Sequence, residues 1–270
     1  MSAPSLKIAR DVSAIEAYLT QIVAVADAEA VKLRHDPMDL LSRAVQPVLW
    51  LVLFGQVMAH VRGLQLSDHS YLEFLAPGVL AQSVLFVAIF YGLSAIWERD
   101  LGVLHRYMVS PAPRSALVIG KAVASSIRGV SQSLVVYLCA ALLGVRLSLD
   151  PIHILGVVGL IVAASALFST FSLIIACIVK TRERFMGIGQ FLTMPIFFAS
   201  NAIYPITIMP DWLKAISVAN PLSYEVDGLR ALMLSNGESA FGLVRDYGVL
   251  FAVTVVFIVI ATRMYPRLTQ

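Results

Sequence analysis

Residues 151–179 contain no Asp, Glu, Lys or Arg, and this uninterrupted stretch strongly limits what the chain can fold into. A helix needs about 20 mostly apolar residues to cross the roughly 30 Å of hydrocarbon in a bilayer. Comparable apolar stretches recur along the sequence, which predicts six transmembrane helices in all. They lie at residues 45–61, 74–96, 117–143, 151–179, 185–204 and 243–261.

The composition excludes a soluble domain. Hydrophobic residues make up 59% of the chain and charged residues 14%, whereas a typical soluble domain is about 45–50% apolar and about 25% charged. A soluble chain of 270 residues could not bury so much apolar surface. We therefore expect an all-α integral membrane protein, with lipid as much of its solvent.

The basic residues of the loops predict the orientation, because Lys and Arg concentrate on the cytoplasmic side of a membrane. They are frequent before the first predicted span, between the second and third, between the fourth and fifth, and after the sixth. Both termini are therefore expected in the cytoplasm. The chain then divides into a cytoplasmic N-terminus (1–44), a transmembrane domain (45–262) and a C-terminal tail (263–270).

Residues 13–35 combine apolar positions at helical spacing with later charges. This pattern favours an amphipathic helix lying in the cytoplasmic interface of the membrane. The alternative is a helix packed on the rest of the protein. The apolar positions are Ile15, Tyr18, Leu19, Ile22, Val23 and Val25.

The sequence has no energy-coupling or catalytic motif. Gly120-Lys121-Ala122 lacks both the earlier glycine and the hydroxyl of a phosphate-binding loop. Acidic residues are nearly absent from the predicted spans, which disfavours a proton- or sodium-coupled carrier. We expect no cofactor, no metal site and no nucleic-acid partner for this chain, and we expect its energy to come from another chain.

Residues 97–111 follow the second predicted span and pair charges with apolar residues at helical spacing. A short amphipathic helix of this kind can present an apolar knob and a charged rim to a soluble partner. An ordinary cytoplasmic loop is the alternative. Pro111 and Pro113 would end the helix.

Prolines break up the fifth span and the segment after it. Pro195 removes one helical hydrogen bond, and Pro205 and Pro210 disturb the segment in which the chain leaves this helix. The pattern predicts a span that is broken near the external face of the membrane. A kinked structural helix is the alternative. Residues 211–235 are too polar to span and predict two short external helices. In the second of these helices, Asp227 and Arg230 are spaced to pair on one face.

Arg128 lies about a dozen residues into the third predicted span. A charge there costs about 2.5–3.5 kcal/mol on insertion scales. It either faces a polar cavity or a partner, or the span begins later and the side chain reaches back to the interface.

Three groups of residues resemble one known family when they are taken in order. The chain resembles the ABC-2 family of ABC-transporter permeases, within it most closely the daunorubicin-resistance and nodulation-factor exporters, and the resemblance covers almost the whole chain. The groups are Glu98-Arg99 with Gly102, Leu104 and Pro111; Pro195, Tyr204 and Pro205; and Asn220-Pro221-Leu222-Ser223-Tyr224 with Asp227 and Arg230.

The resemblance implies a six-helix permease subunit that pairs with a second copy or a homologue, above two separate ATPase subunits that bind ATP and Mg²⁺. It implies contact with membrane lipids and export of a drug, lipid or glycolipid. The Ala- and Val-rich helices, together with the absence of a secretory signal, fit a bacterial cytoplasmic (inner) membrane. The loop after the second span would be the coupling helix, and Glu98→Ala is expected to uncouple ATP hydrolysis from export.

The resemblance also implies roles for particular residues. The residues that couple to the ATPase would be Glu98, Arg99, Gly102, Leu104 and Arg106. The substrate path between the second and fifth helices of the two protomers would be lined by Gln82, Phe86, Phe90, Phe197, Phe198, Asn201 and Tyr204.

Other functions remain open from the sequence alone. A permease for a polysaccharide is one, and a structural or assembly subunit of a membrane complex is another. A membrane enzyme acting on a lipid head group is a third, and its catalytic groups would have to come from the loops. The residues available to it are Asp100, His105, Glu225 and Asp227.

Overall fold

A computed structural model describes residues 37–59, 70–102, 113–179 and 181–269, together with isolated positions between residues 16 and 35. Within this part of the chain the extended regular structure is helical and no strand occurs, which confirms the all-α prediction. The predicted interfacial helix at 13–35 lies mostly outside the described residues.

Ten α-helices are described, and a π-helical turn at Trp50–Gly55 joins the first two of them. They are α1 (Pro37–Leu49), α2 (Gln56–Ala59), α3 (Tyr71–Tyr91), α4 (Leu93–Asp100), α5 (Arg114–Leu142), α6 (Pro151–Ile178), α7 (Arg182–Phe198), α8 (Asp211–Ala219), α9 (Pro221–Met233) and α10 (Leu243–Met264).

Four helical segments are long and apolar enough to cross a membrane, judged by length and composition. The other two predicted spans are also helical, but one is interrupted by the π-turn and the other, α7, has only 17 residues before a series of turns. The four long segments are Tyr71–Asp100, Arg114–Leu142, Pro151–Ile178 and Leu243–Leu268.

Side-chain and backbone caps set where several helices begin. Ser70 and Glu73 form a capping box, in which the Ser70 hydroxyl accepts from the Glu73 amide at 3.2 Å and the Glu73 carboxylate accepts from the Ser70 amide at 3.0 Å. Helix α3 therefore begins at Tyr71, before the predicted start at residue 74. Asp150 caps α6 in a similar way, with Pro151 in the first turn.

Helix α6 is the centre of the bundle and contacts α3, α5, α9 and α10. Helix α3 lies beside it and is buried along most of its length. One close approach fixes α3 against the turns after α7: a Cβ atom at Gly78 would lie 2.4 Å from the carbonyl oxygen of Ala202. A glycine is required there because the neighbouring atoms are backbone.

The helix that contains α3 and α4 is interrupted at Gly92. The Ser172 hydroxyl of α6 donates to the carbonyl oxygen of Ile89, and the Gly92 amide donates to the same oxygen at 3.3 Å. A side chain that inserts into the helical hydrogen-bond ladder in this way breaks its regularity. Two helical segments therefore follow one another on either side of Gly92.

Candidate functional site

The end of α4 is held by a group of charged and aromatic side chains that we call the α4 clamp: Trp97, Glu98, Asp100, Lys121 and Arg182. The Lys121 ammonium lies 2.8 Å and 2.7 Å from the two carboxylate oxygens of Glu98. The two side chains are only 10% and 24% exposed. Removing one partner would leave a largely buried charge, so this pair fixes α4 to α5.

A second contact of the clamp joins α4 to the first turn of α7. The Asp100 carboxylate accepts from the Arg182 guanidinium at 2.9 Å and from Arg99 at 3.0 Å. The Arg182 guanidinium also lies 4.1 Å from the centre of the Trp97 ring. These groups are partly solvated and contribute modestly to stability, but they set the position of α7 relative to α4.

The structure places part of the predicted coupling segment. Glu98 and Arg99 lie in the last turn of α4, and Gly102 follows it with a φ of +70°, a left-handed conformation that favours glycine. Leu104 and Arg106 lie outside the described residues. The described part of this segment is thus tied to the bundle by the clamp.

A groove runs along α3 between α1 and α5. It consists of two adjoining cavities of about 100 Å³ and 400 Å³ that share Arg43, Val87 and Phe90 in their lining. We call it the arginine groove. Its defining residues are Arg43, Gln46, Gln82, Phe86, Phe90 and Arg128.

Three of the predicted path residues come together in this groove. Gln82 is 3% exposed, and neither its amide nitrogen nor its amide oxygen has a hydrogen-bond partner in the described part of the protein. The rings of Phe86 and Phe90 stack with their centres 6.0 Å apart. Arg128 is half-buried, with its guanidinium 5.7 Å from the ring centre of Tyr91.

The four predicted path residues at and beyond the end of α7 occupy different surroundings. Phe197 is fully buried, with its ring 6.0 Å from that of Trp50 and 5.4 Å from that of Phe198. Phe198 is 44% exposed, and the Tyr204 hydroxyl donates to its carbonyl oxygen. Because Trp50 belongs to the π-turn between α1 and α2, its contact with Phe197 packs that turn directly on the end of α7.

Phe198 and Tyr204 line a cavity of about 630 Å³ between the end of α7 and α8, together with Trp212 and Ile216. Asn201 is buried, and its carbonyl oxygen accepts from Arg230 at 3.0 Å. Within one chain, then, Phe198 and Tyr204 line a cavity separate from the arginine groove, and Phe197 and Asn201 are buried. Helices α3 and α7 nevertheless meet at Gly189, where a Cβ atom would lie 3.6 Å from the Phe90 ring.

Helix α9 contributes buried acidic groups. Asp227 and Arg230 interact electrostatically, as their spacing predicted, but not through a direct hydrogen bond: the Asp227 carboxylate accepts from the Ser239 hydroxyl at 2.7 Å and from the Phe241 amide at 2.9 Å. Arg230 donates instead to Asn201 and lies 4.0 Å from the ring centre of Phe74. The loop before α10 thus supplies the hydrogen-bond donors to the Asp227 carboxylate.

Glu225 is fully buried, and neither of its carboxylate oxygens has a partner within the described residues. Burial raises the pKa of Glu225 well above the 4.5 of a solvated glutamate. The unfolded chain loses this proton near pH 4.5, while the folded protein keeps it to higher pH. Rising pH above 4.5 therefore favours the unfolded form through this group.

Glu225→Gln should stabilise the protein increasingly as the pH rises from 5 to 8, by at most about 1.4 kcal/mol per pH unit. The measurement is thermal unfolding in detergent at several pH values. Glu183→Gln is the matched control, since Glu183 is exposed and the change there should leave the pH dependence as it is. A constant difference between Glu225→Gln and the wild type at all pH values would contradict the prediction.

The groups proposed for a membrane enzyme are not assembled into one site. Asp100 lies at the end of α4, while Glu225 and Asp227 lie on α9, a helix that contacts α3, α6 and α10. His105 lies outside the described residues. Across the described ranges no group of His, Cys, Asp and Glu could hold a metal ion.

Sequence reasoning missed several residues of the clamp and the groove. In the sequence, Arg43, Lys121 and Arg182 are basic residues on one side of the membrane and Lys121 lies in an incomplete phosphate-binding motif, while Trp50 is part of an apolar span, and none of these patterns predicts their contacts. The ion pairs join positions 23 and 82 residues apart. Arg128 alone gave a usable signal, because a charge within an apolar span needs a compensating environment.

The sequence profile of the family described as ABC-2 type transporter matches residues 20–234. Among similar proteins, ycf38 of Cyanophora paradoxa, named as a transport permease, is 30% identical over 210 residues. The matched region covers 75% of this chain and 70% of that protein.

Two bacterial proteins match over more of the chain. The daunorubicin resistance ABC transporter permease protein DrrB1 of Streptomyces coeruleorubidus is 25% identical over 239 residues, covering 87% of this chain and 81% of that protein. The inner membrane transport permease YadH of Escherichia coli strain K12 is 25% identical over 233 residues, covering 83% of this chain and 87% of that protein.

Proposed function

Because the chain belongs to the ABC-2 type transporter family, we propose that it is the transmembrane subunit of an ATP-driven exporter whose ATPase is a separate chain. The observation that best supports the proposal is the α4 clamp. It links the segment after the second span to α5 through Glu98 and to α7 through Asp100. A push on that segment would therefore reach two other helices of the bundle.

In this proposal the chain crosses the membrane six times. The four long segments provide four crossings, and the helical run through α1, the π-turn and α2 provides the first. Helix α7 and the turns after it, which end near Pro205, provide the fifth. Both termini face the cytoplasm, since Lys and Arg are most frequent in the loops assigned to that side.

The proposed coupling is mechanical. The partner ATPases bind ATP and Mg²⁺, close together, and press on the coupling segment, in which Glu98, Arg99, Gly102, Leu104 and Arg106 take part. The clamp then transmits the displacement as a rigid-body movement of α4 with α5 and α7, because ion pairs and packed helices have discrete arrangements.

The proposed cargo is a hydrophobic or amphipathic molecule, moved outward between this chain and a second copy or a homologue. The aromatic groups of α3 and of the end of α7 suit an apolar surface better than a hydrated polysaccharide. The relative named for daunorubicin resistance supports a drug-like cargo, and the relative named as an inner membrane permease supports a cytoplasmic membrane location.

The first test is to purify the full chain in mild detergent from its native membrane and identify the proteins that accompany it by mass spectrometry. We expect a soluble ATPase with a phosphate-binding loop in near-stoichiometric amount. Purification without such a partner, under conditions that keep other transporters intact, would count against the proposal. Enzymatic turnover of a lipid by the purified chain alone would favour the membrane-enzyme alternative.

A further inference from the structure

The end of α7 and the turns that follow it, residues 199–204, depend on side-chain hydrogen-bond donors. We call residues 199–204 the outer turns. A helix that ends leaves its last carbonyl oxygens without partners in the helix itself. The Ile196 carbonyl oxygen accepts from the Asn220 side chain at 2.6 Å, and the Phe198 carbonyl oxygen accepts from the Tyr204 hydroxyl. Side chains from outside α7 therefore take over where the helix stops.

Helices α3 and α9 also reach the outer turns with side-chain donors. From α3, the Tyr71 hydroxyl donates to the Ile203 carbonyl oxygen at 3.2 Å. From α9, the Arg230 guanidinium donates to the Asn201 carbonyl oxygen at 3.0 Å. Of these two donors only Arg230 carries a charge, and a charge-assisted hydrogen bond is roughly twice as strong as a neutral one. Arg230 thus makes the stronger of the two contacts.

Arg230 and Asn201 both keep unused hydrogen-bonding capacity. The Arg230 guanidinium lies 4.0 Å from the ring centre of Phe74 and interacts electrostatically with Asp227. Within the described residues, however, its buried Nε atom has no hydrogen-bond partner, and neither has the side-chain oxygen of the buried Asn201. Buried polar atoms in native proteins are normally paired. Unpaired atoms on both sides of one contact favour a second arrangement in which they find partners.

Helix α7 connects the α4 clamp to the outer turns. It begins at Arg182, which the clamp holds through Asp100, and it ends at Phe198. Its 17 residues span about 25 Å. The side of α7 that packs on the bundle has one buried residue on each turn: Phe185, Gly189, Thr193 and Phe197. Because the buried strip is so narrow, a shift of α7 at the clamp would reach the outer turns with little resistance from packing.

The contact with α3 limits the direction in which the outer turns can move. A Cβ atom at Gly78 would lie 2.4 Å from the carbonyl oxygen of Ala202, so the two backbones already touch. The outer turns cannot come closer to α3. Once Arg230 lets go of them, they can move only away from α3.

We propose that Arg230 is a positioning residue that latches the outer turns to α9, and that its release from the Asn201 carbonyl oxygen changes the cavity between α7 and α8. That cavity, of about 630 Å³, is lined by Phe198 and Tyr204, which lie just before the outer turns and at their end. The latch is closed when Arg230 donates to Asn201, as in this structure. That the latch opens during transport rests on the proposed function, whereas the latch itself does not.

The test uses the full chain in phosphatidylcholine nanodiscs and measures hydrogen exchange of the backbone amides of residues 199–204 by mass spectrometry. Exchange of these amides reports local opening of the outer turns. We expect Arg230→Met to raise their exchange rate about tenfold, because a charge-assisted hydrogen bond is lost while a long side chain is kept. Arg230→Lys keeps a charged donor and should stay within about threefold of the wild type.

Arg245→Met is the matched control. Arg245 also lies over aromatic rings, 5.8 Å from the centre of Tyr224 and 5.5 Å from that of Phe241, but it is an exposed residue in the first turn of α10. The control should leave exchange at 199–204 unchanged. An unchanged rate in Arg230→Met, or an equal rise in Arg230→Lys and Arg230→Met, would overturn the proposal, because the outer turns would then not depend on a charged donor.

If Arg230→Met does not fold, Phe74→Leu decides. It removes the ring that faces the guanidinium and should raise the same exchange rate about threefold. An unchanged rate in Phe74→Leu would then overturn the proposal.

A second readout separates the latch from the proposed function. The complex with its ATPase is compared without nucleotide and after trapping with ATP and orthovanadate. We expect trapping to raise exchange at 199–204 several-fold in the wild type and by less than about twofold in Arg230→Met, in which the latch is already open. A faster rate in Arg230→Met without any effect of trapping would leave the latch standing and refute its opening during transport. If no ATPase copurifies, the proposed function fails, and the measurement on the chain alone still decides the latch.

Discussion

Glu98→Lys should lower ATP-driven transport by more than about tenfold, and adding Lys121→Glu to it should restore at least half of the activity. In the single variant two ammonium groups face each other where the pair is now 2.7 Å apart and largely buried. Removing one partner of a buried pair costs about 3–5 kcal/mol, and even a smaller cost at this partly exposed pair would detach the end of α4 from α5. The measurement is transport by the complex in liposomes, with ATP hydrolysis recorded in parallel.

The charge swap distinguishes two roles for Glu98. If Glu98 acts by holding α4 against α5, the swapped pair does the same and transport returns. If Glu98 instead contacts the ATPase directly, the swap leaves a lysine at that contact and transport stays low. Glu183→Lys is the control, since Glu183 is an exposed acidic residue in the first turn of α7 and its reversal should change transport little.

Gly78→Ala should destabilise the protein by about 1–3 kcal/mol, although alanine is the better helix former. The added Cβ atom would lie 2.4 Å from the carbonyl oxygen of Ala202 and 2.9 Å from the Ala202 Cα atom. Because these are backbone atoms, the turns after α7 would have to move away from α3. We expect a lower melting temperature in detergent and weaker transport.

Gly248→Ala provides the comparison for Gly78→Ala. Gly248 lies within α10, and a Cβ atom there would have no neighbour within 4 Å among the described residues beyond its own helical turn. This substitution should be neutral or stabilise the protein by up to about 1 kcal/mol. If both variants melted at the same temperature, the contact between α3 and Ala202 would not be the reason that position 78 requires glycine.

Hydropathy predicted the fold well because it depends on residues close together in sequence. The uncharged stretch at 151–179 corresponds to α6, and the breaks at Pro205, Pro210 and Asn220 correspond to the short elements before α10. The same signal could not predict the π-turn at Trp50–Gly55. That turn lies in an apolar run that would be compatible with a regular helix.

The candidate site was predicted only in part, because its contacts join distant segments. Gln82 and Phe90 proved to line one groove, but the arginines that complete its lining, Arg43 and Arg128, come from α1 and α5. Spacing alone suggested that Asp227 would pair with Arg230, since residues three apart lie on one helical face. The two residues do interact electrostatically, but the direct hydrogen-bond donors to Asp227 are the Ser239 hydroxyl and the Phe241 amide, and no local pattern predicts such a loop.

If the chain works as proposed, the contact of Ser172 with the helix at Ile89 and Gly92 would make Tyr71–Asp100 an unequal lever. The point of contact with Ser172 divides it into an outer arm of 21 residues, α3, and an inner arm of 8 residues, α4. At 1.5 Å per residue these arms are about 32 Å and about 12 Å long. If the two arms tilt together about that fulcrum, a small displacement delivered at Asp100 grows about two and a half times at Tyr71. In the proposed coupling, the short arm would receive the force from the ATPase and the long arm would move further at the opposite end of the helix.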